Sequence, residues 1–290
     1  MRWRGERQSD NIEDRRGMSG GGKLAVGGGL GAILALVIGL LMGKDPMALI
    51  GDFMSNGVTQ QQTNETTYYN PNDPQDTTAQ LLSVVLASTE DVWSEIFSQA
   101  GASYSVPKLV FFRGTTPTAC GQGHEAMGPF YCPADRKAYI DLSFCDELRE
   151  RFKAPGEAAI AYVVAHEIGH HVQNLLGTSD KVQSLRGRVS EREYNRYSVA
   201  LELQADFYAG LWANRAQAKR NLFNSGDLEA ALRAANAIGD DKLQMEAQGY
   251  VVPDAFTHGT SQQRMEWFMK GFKTGDINQG NTFQALGLTR

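Results

Sequence analysis

The segment VVAHEIGHHV places two histidines, His166 and His170, four residues apart, with Glu167 directly after the first. Residues four apart on a helix project from the same face, so the two imidazoles can bind one metal ion. Neutral imidazole suits zinc, and Glu167 projects to the side, where it can take a proton from water without binding the metal. The spacing therefore predicts a hydrolytic site with one catalytic zinc ion.

A catalytic zinc ion usually takes three protein ligands and leaves a fourth position open for water. Gln173 and Leu176 stand where the longer motif HExxHxxGxxH needs a glycine and a third histidine, so that class is excluded. The segment ALELQADFYAG supplies Glu202, with Asp206 four residues later on the same helix face. We favour Glu202 as the third zinc ligand.

Other acidic residues on the same predicted helix offer alternatives to this ligand. Glu191 and Glu193 are less favoured, because both lie in the capping turn and neither has an acidic partner four residues on. Asp206 is expected to accept a hydrogen bond from the far ring nitrogen of one zinc-bound histidine and so to fix its tautomer. His171 points about 100° away from His170 around the helix, off the metal-facing side, which predicts either a structural role or support of a metal ligand from behind.

A further histidine, His258, lies in the segment DAFTHGTSQQR, just before the last predicted helix. From a loop it could extend over the zinc ion and stabilise the oxyanion of a hydrolytic transition state, which makes it a candidate catalytic residue. The alternative is a solvated or capping histidine. His124 is a weaker candidate.

The elements that position these residues are mostly helical. Apolar residues recur at helical spacing from about residue 79 to Gly101, and the metal motif lies on a helix from Gly156 to about Leu176. Ser190 and Glu193 form a capping-box pattern that begins a long helix through Glu202 to about Lys219. Shorter helices are expected at residues 227–238 and 262–272. Two strand-like segments, KLVFF at 108–112 and KAYIDLSF at 137–144, predict a small sheet whose KAYIDLSF edge pairs with an extended substrate.

The chain has three cysteines, too few for a disulfide scaffold. Cys120 and Cys132 enclose the segment CGQGHEAMGPFYC, whose ends could meet in a loop or hairpin. We expect a disulfide between them, favoured if the domain is exported to an oxidising compartment. Cys145 is then expected to be a buried thiol.

An apolar stretch from Leu24 to Met42 contains no charged side chain. Since a helix of about 20 residues crosses the core of a bilayer, we expect one transmembrane helix at residues 24–43. Basic residues precede this stretch and only Lys44 follows it closely, so the positive-inside rule predicts a cytoplasmic leader at residues 1–23. A cleaved signal peptide is less favoured, because no small-residue cleavage site follows. The sequence therefore predicts a single-pass inner-membrane protein, anchored in the lipid bilayer, with its C-terminal domain periplasmic or extracytoplasmic.

The polar segment at residues 44–78 reads as a linker, which leaves residues 79–290 for one globular domain. The 33 acidic and 28 basic residues give a formal net charge of −5, which argues against a nucleic-acid-binding surface. The predicted fold class is thus α+β, mostly helical with a small β-sheet, preceded by one N-terminal transmembrane helix. Nothing in the sequence indicates an oligomeric state.

The segments HEIGHH, ELQADFYAG and THGTSQQR, in this order, resemble the bacterial family of predicted neutral zinc metallopeptidases, which are membrane-anchored proteins with a zincin-like domain. The likeness also includes the basic leader, the Gly-rich apolar stretch and GPFYCPADRKAYIDLSF. It implies a gluzincin-like site in which His166, His170 and Glu202 bind zinc, Glu167 is the base and Asp206 lies behind a histidine. His258 with Arg264 is similar to the downstream histidine and arginine of integral-membrane zincins, although the proline often found after that histidine is missing.

The sequence therefore predicts a zinc metallopeptidase that hydrolyses peptide bonds of a peptide or protein substrate with Glu167 as general base. The alternative is a non-catalytic binding or scaffold protein that keeps a structural zinc ion. Glu167 favours the enzyme, because a purely structural zinc site needs no base beside its ligands.

Overall fold

A computed structural model describes residues 1–17, 69–150 and 156–288 of the chain. It is a mixed structure of helices and sheet, and Met1–Arg15 and Tyr68–Arg290 form one compact unit. The α and β content is as the sequence predicted. The helices of the described part are α1 (Thr77–Gln99), α2 (Leu142–Glu150), α3 (Glu157–Leu175), α4 (Thr178–Gln183), α5 (Glu191–Arg220), α6 (Asp227–Ala237), α7 (Asp240–Gln248), α8 (Ser261–Thr274) and α9 (Thr282–Ala285).

The main sheet has four strands, β1 (Ile12–Asp14), β2 (Lys108–Phe112), β5 (Phe130–Cys132) and β6 (Lys137–Asp141), in the order β1-β2-β6-β5. β1, β2 and β6 run parallel, and β5 is antiparallel to β6. Among the described strands, β6 therefore lies inside the sheet, and β1 and β5 form its two edges. This corrects the expectation that KAYIDLSF is an edge strand, and its last residues begin helix α2 instead.

A hairpin of β3 (Thr115–Thr118) and β4 (Gly121–His124) packs near the edge strand. A side chain at Gly123 would overlap the ring of Phe130, so the hairpin can approach β5 this closely only with glycine there. The predicted disulfide between Cys120 and Cys132 is present and ties the hairpin to β5. Cys145 is buried, as expected.

Helix α3 runs through the core and is apolar around most of its circumference, which is the pattern of a helix buried on several sides. It begins after Gly156, and Gly177, in the left-handed conformation, follows its end. Helix α5 begins at the N-cap Ser190, whose side chain accepts a hydrogen bond from the Glu193 amide. Both starting points agree with the sequence prediction within a residue.

The predicted transmembrane helix and single-pass inner-membrane location are corrected by the structure. Within residues 1–17, 69–150 and 156–288, no helix is both long enough and apolar enough to cross a membrane. The predicted span at residues 24–43 lies outside these ranges.

The leader also differs from its predicted place on the opposite side of a membrane from the domain. Its residues Ile12–Asp14 form β1 and pair in register with Leu109–Phe111 of β2. Ser9 and Asn11 donate hydrogen bonds to the buried carboxylate of Glu90 on α1. A chain segment that supplies a strand to the domain's own sheet lies on the same side of any membrane as that domain.

Candidate metal centre

Helices α3 and α5 come close enough to bring two distant sequence segments together. A Cβ atom on Gly169 would lie 3.0 Å from the Cα and carbonyl oxygen of Ala205. This close approach lies between the two histidines of α3 and the two acids of α5, so it sets the separation of their side chains. The small residues within HEIGHH and ELQADFYAG are therefore part of how the site is built.

Three side chains converge across this contact. His166 Nε2 lies 3.2 Å from Glu202 Oε2 and 3.2 Å from His170 Nε2, and His170 Nε2 lies 3.5 Å from Glu202 Oε1. Tetrahedral ligands about 2.0–2.1 Å from a zinc ion are roughly 3.3 Å apart. The two imidazole nitrogens and the Glu202 carboxylate therefore have the spacing of three zinc ligands, and the three residues form the candidate metal-binding group of the described residues.

The hydrogen bonds of the two histidines fix which nitrogen carries the proton. His166 Nδ1 lies 2.8 Å from Asp206 Oδ1, and His170 Nδ1 lies 2.9 Å from the amide oxygen of Gln173. The Gln173 amide nitrogen donates to the Leu201 carbonyl at 2.6 Å, so its oxygen must face His170. Both Nδ1 atoms are therefore donors, and in the neutral rings both Nε2 lone pairs point at the Glu202 carboxylate. Three electron-pair donors in contact need a cation between them.

In the metal-free protein, a proton on a histidine nitrogen can take the place of the cation between these groups. Burial, the largest single effect, disfavours the charged form of His166, but the Asp206 and Glu202 carboxylates together outweigh it and raise the pKa of His166 to about 10. Burial would raise the pKa of Glu202, yet His170 and His166 hold it well below its usual range. A metal ion must therefore compete with protons for this site.

Asp206 lies at the centre of a buried polar cluster behind His166. Its side chain is fully buried, and its Oδ1 also accepts a hydrogen bond from the Tyr162 hydroxyl at 2.5 Å. Arg264 from α8 donates to both carboxylate oxygens. Burial alone would raise the pKa of Asp206, but Arg264 and His166 lower it, so the carboxylate is ionised.

Helix α8 can carry Arg264 to this point because it touches α5 along two glycines. A Cβ atom on Gly210 would overlap the Phe268 carbonyl, and one on Gly271 would overlap the Phe207 carbonyl. The side chain of Arg264 is 3% exposed, so its charge depends on Asp206 for compensation.

Glu167 is buried in the same cleft but is not one of the three converging groups. Among the described residues its side chain makes no hydrogen bond. Burial, as the largest effect, raises the pKa of Glu167. A carboxylate with this surplus basicity is suited to accept a proton from water.

His258 lies at the rim of the cleft, and its side chain is 51% exposed. Asp240, at the start of α7, holds the loop that carries it. One Asp240 oxygen accepts hydrogen bonds from the backbone amides of Thr257, His258 and Gly259, and the other lies 3.1 Å from His258 Nδ1. The hydrogen bond to Asp240 raises the pKa of His258, which favours the imidazolium.

A cleft of about 780 Å³ gives access to these groups. Phe130 and Tyr131 of the edge strand form one wall, and Met127 lies beside them. The other walls come from α2, α3, α4, α5, α7 and α8. Apolar side chains that line the cleft include Phe144, Val163, Val182, Leu201, Ile238 and Leu243.

The structure places His166, Glu167, His170, Glu202 and His258 around one cleft, with Asp206 buried behind His166. Glu191 and Glu193, the alternative ligands, lie in the first turn of α5 and outside the converging group. His171 is buried on another face of α3. His124 is exposed on β4.

Sequence reasoning missed three supporting residues. Tyr162 lies four residues before His166, and Gln173 three after His170, so helical spacing was an available signal for both. Asp240 had no such signal, because it is 18 residues from the histidine it holds.

The chain is similar to known proteins along most of its length. The chain is 50% identical over 288 residues to the protein named "Uncharacterized protein YpfJ" of Escherichia coli K12, covering 98% of this chain and 99% of that one. It is 39% identical over 212 residues to "Uncharacterized protein Rv2575" of Mycobacterium tuberculosis, covering 69% of each. No solved structure matches it. Residues 1–283 match the family described as "Putative neutral zinc metallopeptidase", and the chain belongs to that family.

Proposed function

We propose that this protein hydrolyses peptide bonds with a zinc ion held by His166, His170 and Glu202. The observation that carries the proposal is the convergence of two imidazole lone pairs and a carboxylate at zinc-ligand spacing beside the buried carboxylate of Glu167. When bound, zinc lowers the pKa of a water ligand toward about 7 and polarises the carbonyl that is attacked.

The chain's own residues then handle the protons. Glu167 accepts a proton from the attacking water and delivers it to the leaving amine, a role that its raised pKa favours. Asp206 keeps the proton of His166 on Nδ1, so that Nε2 stays directed at the metal position.

His258 is assigned the stabilisation of negative charge on the substrate carbonyl. Its Nδ1 is held by Asp240, which leaves Nε2 free to donate a hydrogen bond to the substrate. Because Asp240 favours the imidazolium, the donor is charged and the hydrogen bond to a developing oxyanion is strong. The exposure of the side chain lets it reach a substrate that enters the cleft.

An extended peptide is the substrate that best fits the cleft. β5 is the edge of the sheet and lines one wall, so its backbone can pair with the backbone of a bound chain. The role given to KAYIDLSF from the sequence is thus assigned to β5. The apolar lining favours bulky apolar side chains on that peptide.

A non-catalytic zinc-binding scaffold has less support. Such a protein has no use for a buried carboxylate with a raised pKa beside its metal ligands, nor for an open cleft above them.

The direct test is digestion of a peptide library by the full-length protein after chelation and after reloading with zinc. We expect cleavage only in the zinc-loaded sample, with preference for apolar residues near the scissile bond. Stoichiometric zinc without cleavage of any peptide would contradict the proposal and favour the scaffold.

A further inference from the structure

His171, the residue after His170, makes contacts that are not part of the proposed hydrolytic site. His171 is fully buried on a face of α3 different from that of His170. Its Nε2 lies 2.6 Å from the Ser105 carbonyl oxygen, and its Nδ1 lies 2.9 Å from the hydroxyl of Tyr131. His171 thus joins the metal-binding helix to the segment before β2 and to the edge strand β5.

The donor and acceptor roles in this contact are determined. A carbonyl oxygen only accepts, so His171 Nε2 carries the proton and Nδ1 presents its lone pair. The Tyr131 hydroxyl therefore donates to His171. Asn174, one turn further along α3, donates to the same hydroxyl oxygen at 3.0 Å. Two residues of one helix thus hold a single phenol of the edge strand.

Two aromatic rings also contact the His171 imidazole. The rings of Tyr104 and Tyr131 lie edge-on to His171, with centroids 5.6 and 5.4 Å away. His171 is therefore enclosed by aromatic rings as well as held by its hydrogen bonds to the Ser105 carbonyl and the Tyr131 hydroxyl.

Tyr131 is also the middle residue of β5. With Phe130 it lines the cleft, and among the described strands β5 pairs with β6 alone. The β5 strand forms the wall of the cleft that can pair with a peptide backbone. The hydrogen bonds of the Tyr131 hydroxyl connect this strand to α3, the helix that carries His166, Glu167 and His170. This contact adds to the pairing with β6 and to the disulfide of Cys132 in holding β5.

We propose that Tyr131, held by His171 and Asn174, is a positioning residue that fixes the edge strand β5 relative to the metal-binding helix and so aligns an extended peptide with Glu167. This inference rests on the proposed peptide substrate. Tyr131 acts through the placement of β5 and not by contact with the reacting atoms.

The experiment compares Tyr131→Phe with Tyr139→Phe in the full-length, zinc-loaded protein. Tyr139 is a matched control, because its hydroxyl also donates a hydrogen bond, to Asp135 at 2.7 Å. Unlike Tyr131, it belongs to β6 and does not line the cleft. Asn174→Ala serves as a milder second variant that keeps the phenol and its bond to His171.

Two substrates and one binding assay distinguish positioning from stability. One is a long peptide able to pair with β5, and the other is a blocked dipeptide that cannot reach it. For the long peptide we expect Tyr131→Phe to raise KM about tenfold and Asn174→Ala to raise it about threefold, the effects of losing two and one hydrogen bonds. The KM of the dipeptide, kcat and zinc content should stay near those of the parent, and Tyr139→Phe should change none of them.

Binding of the same long peptide to zinc-loaded protein carrying Glu167→Gln gives a readout that does not depend on turnover. We expect Tyr131→Phe to weaken this binding by the same factor of about ten. Equal behaviour of Tyr131→Phe and Tyr139→Phe, or equal losses for both substrates, would overturn the inference. If the parent binds the long peptide but cleaves nothing, the proposed function fails, and the binding ratio still decides the role of Tyr131. If it neither binds nor cleaves, both fail.

Discussion

Arg264 donates hydrogen bonds to both oxygens of the Asp206 carboxylate, from Nε to Oδ2 at 2.9 Å and from Nη2 to Oδ1 at 3.1 Å. The same Oδ1 accepts the hydrogen bond from His166. Helix α8 therefore orients a candidate metal ligand on α3, His166, through a carboxylate on α5. Since both charges are buried, each is stable in the fold only while the other is present.

Removing the cation of this pair should destabilise the fold strongly. We expect Arg264→Leu to lower the free energy of unfolding by about 3–5 kcal/mol, because it leaves the Asp206 charge buried with fewer partners. Arg233→Leu provides the comparison, since Arg233 pairs with Glu229 on the exposed surface of α6 and its loss should change little. Urea unfolding of the chelated proteins measures both, and similar midpoints for the two variants would argue against the role given to Arg264.

Zinc affinity should depend steeply on pH. In the metal-free protein the pKa of His166 is raised to about 10, so zinc must displace at least one proton at neutral pH. The apparent Kd should therefore tighten about tenfold per pH unit as pH rises and level off near pH 10. The metal-free fold should show the opposite trend: its stabilisation by protonated His166 is complete below about pH 6.5 and is lost as pH rises through about 10.

Asp206→Asn tests the cause of this dependence. Loss of the carboxylate charge lowers the pKa of His166, so the levelling should move to lower pH, while the limiting affinity weakens about 10- to 100-fold. Competition titrations with a chelator of known pH dependence give both quantities. An unchanged pH profile in Asp206→Asn would show that Asp206 does not set the protonation of His166.

The hydrolytic pH profile should report on Asp240. Asp240 raises the pKa of His258, so activity that needs the imidazolium is lost as the pH rises through this raised pKa. We expect Asp240→Asn to shift the alkaline limb of kcat/KM to lower pH and to reduce activity at pH 8 more than at pH 6. Asp241→Asn is the matched comparison, because Asp241 caps the start of α8 through Ser261. If both variants shift the limb equally, the change comes from the loop's fold and not from His258.

The sequence was most informative where a local pattern decides the structure. Helices α3 and α5 were predicted because their periodicity and their terminal residues, such as Ser190, act over a few positions. The candidate metal ligands were identified from residue spacing on those helices. In contrast, β1 and β5 become strands only by pairing with β2 and β6, and the short segments themselves carry no strand pattern. The charged leader was thus assigned to another compartment.

The roles of Gln173 and Asp240 were not predicted from the sequence either. Gln173 was seen only as a departure from a longer zinc motif, whereas in the structure it orients His170. Its role depends on the Leu201 carbonyl, 28 residues away on a different helix. Asp240 similarly has meaning only once the loop of His258 folds back onto it. Contacts of this range require the packing of helices, which no local pattern encodes.

The assigned roles of Glu167 and Glu202 make opposite predictions for metal and activity. Glu167→Gln removes the proton acceptor but leaves the three converging ligands intact, so zinc content should stay near that of the parent. Hydrolysis should then fall by about 10²- to 10⁴-fold, the usual contribution of general acid–base catalysis. Glu202→Ala deletes one of three ligands, so zinc and activity should be lost together.

Glu193→Ala completes this comparison, because Glu193 lies on the same helix as Glu202 and was the alternative ligand from the sequence. Its removal should leave both zinc content and cleavage unchanged. Metal analysis by mass spectrometry beside a peptide-cleavage assay measures all three variants. Full activity in Glu167→Gln would exclude it as the base, and loss of zinc from that variant would make it a ligand. Retention of zinc in Glu202→Ala with loss from Glu193→Ala would instead move the third ligand to the first turn of α5, where the structure places no partner histidine.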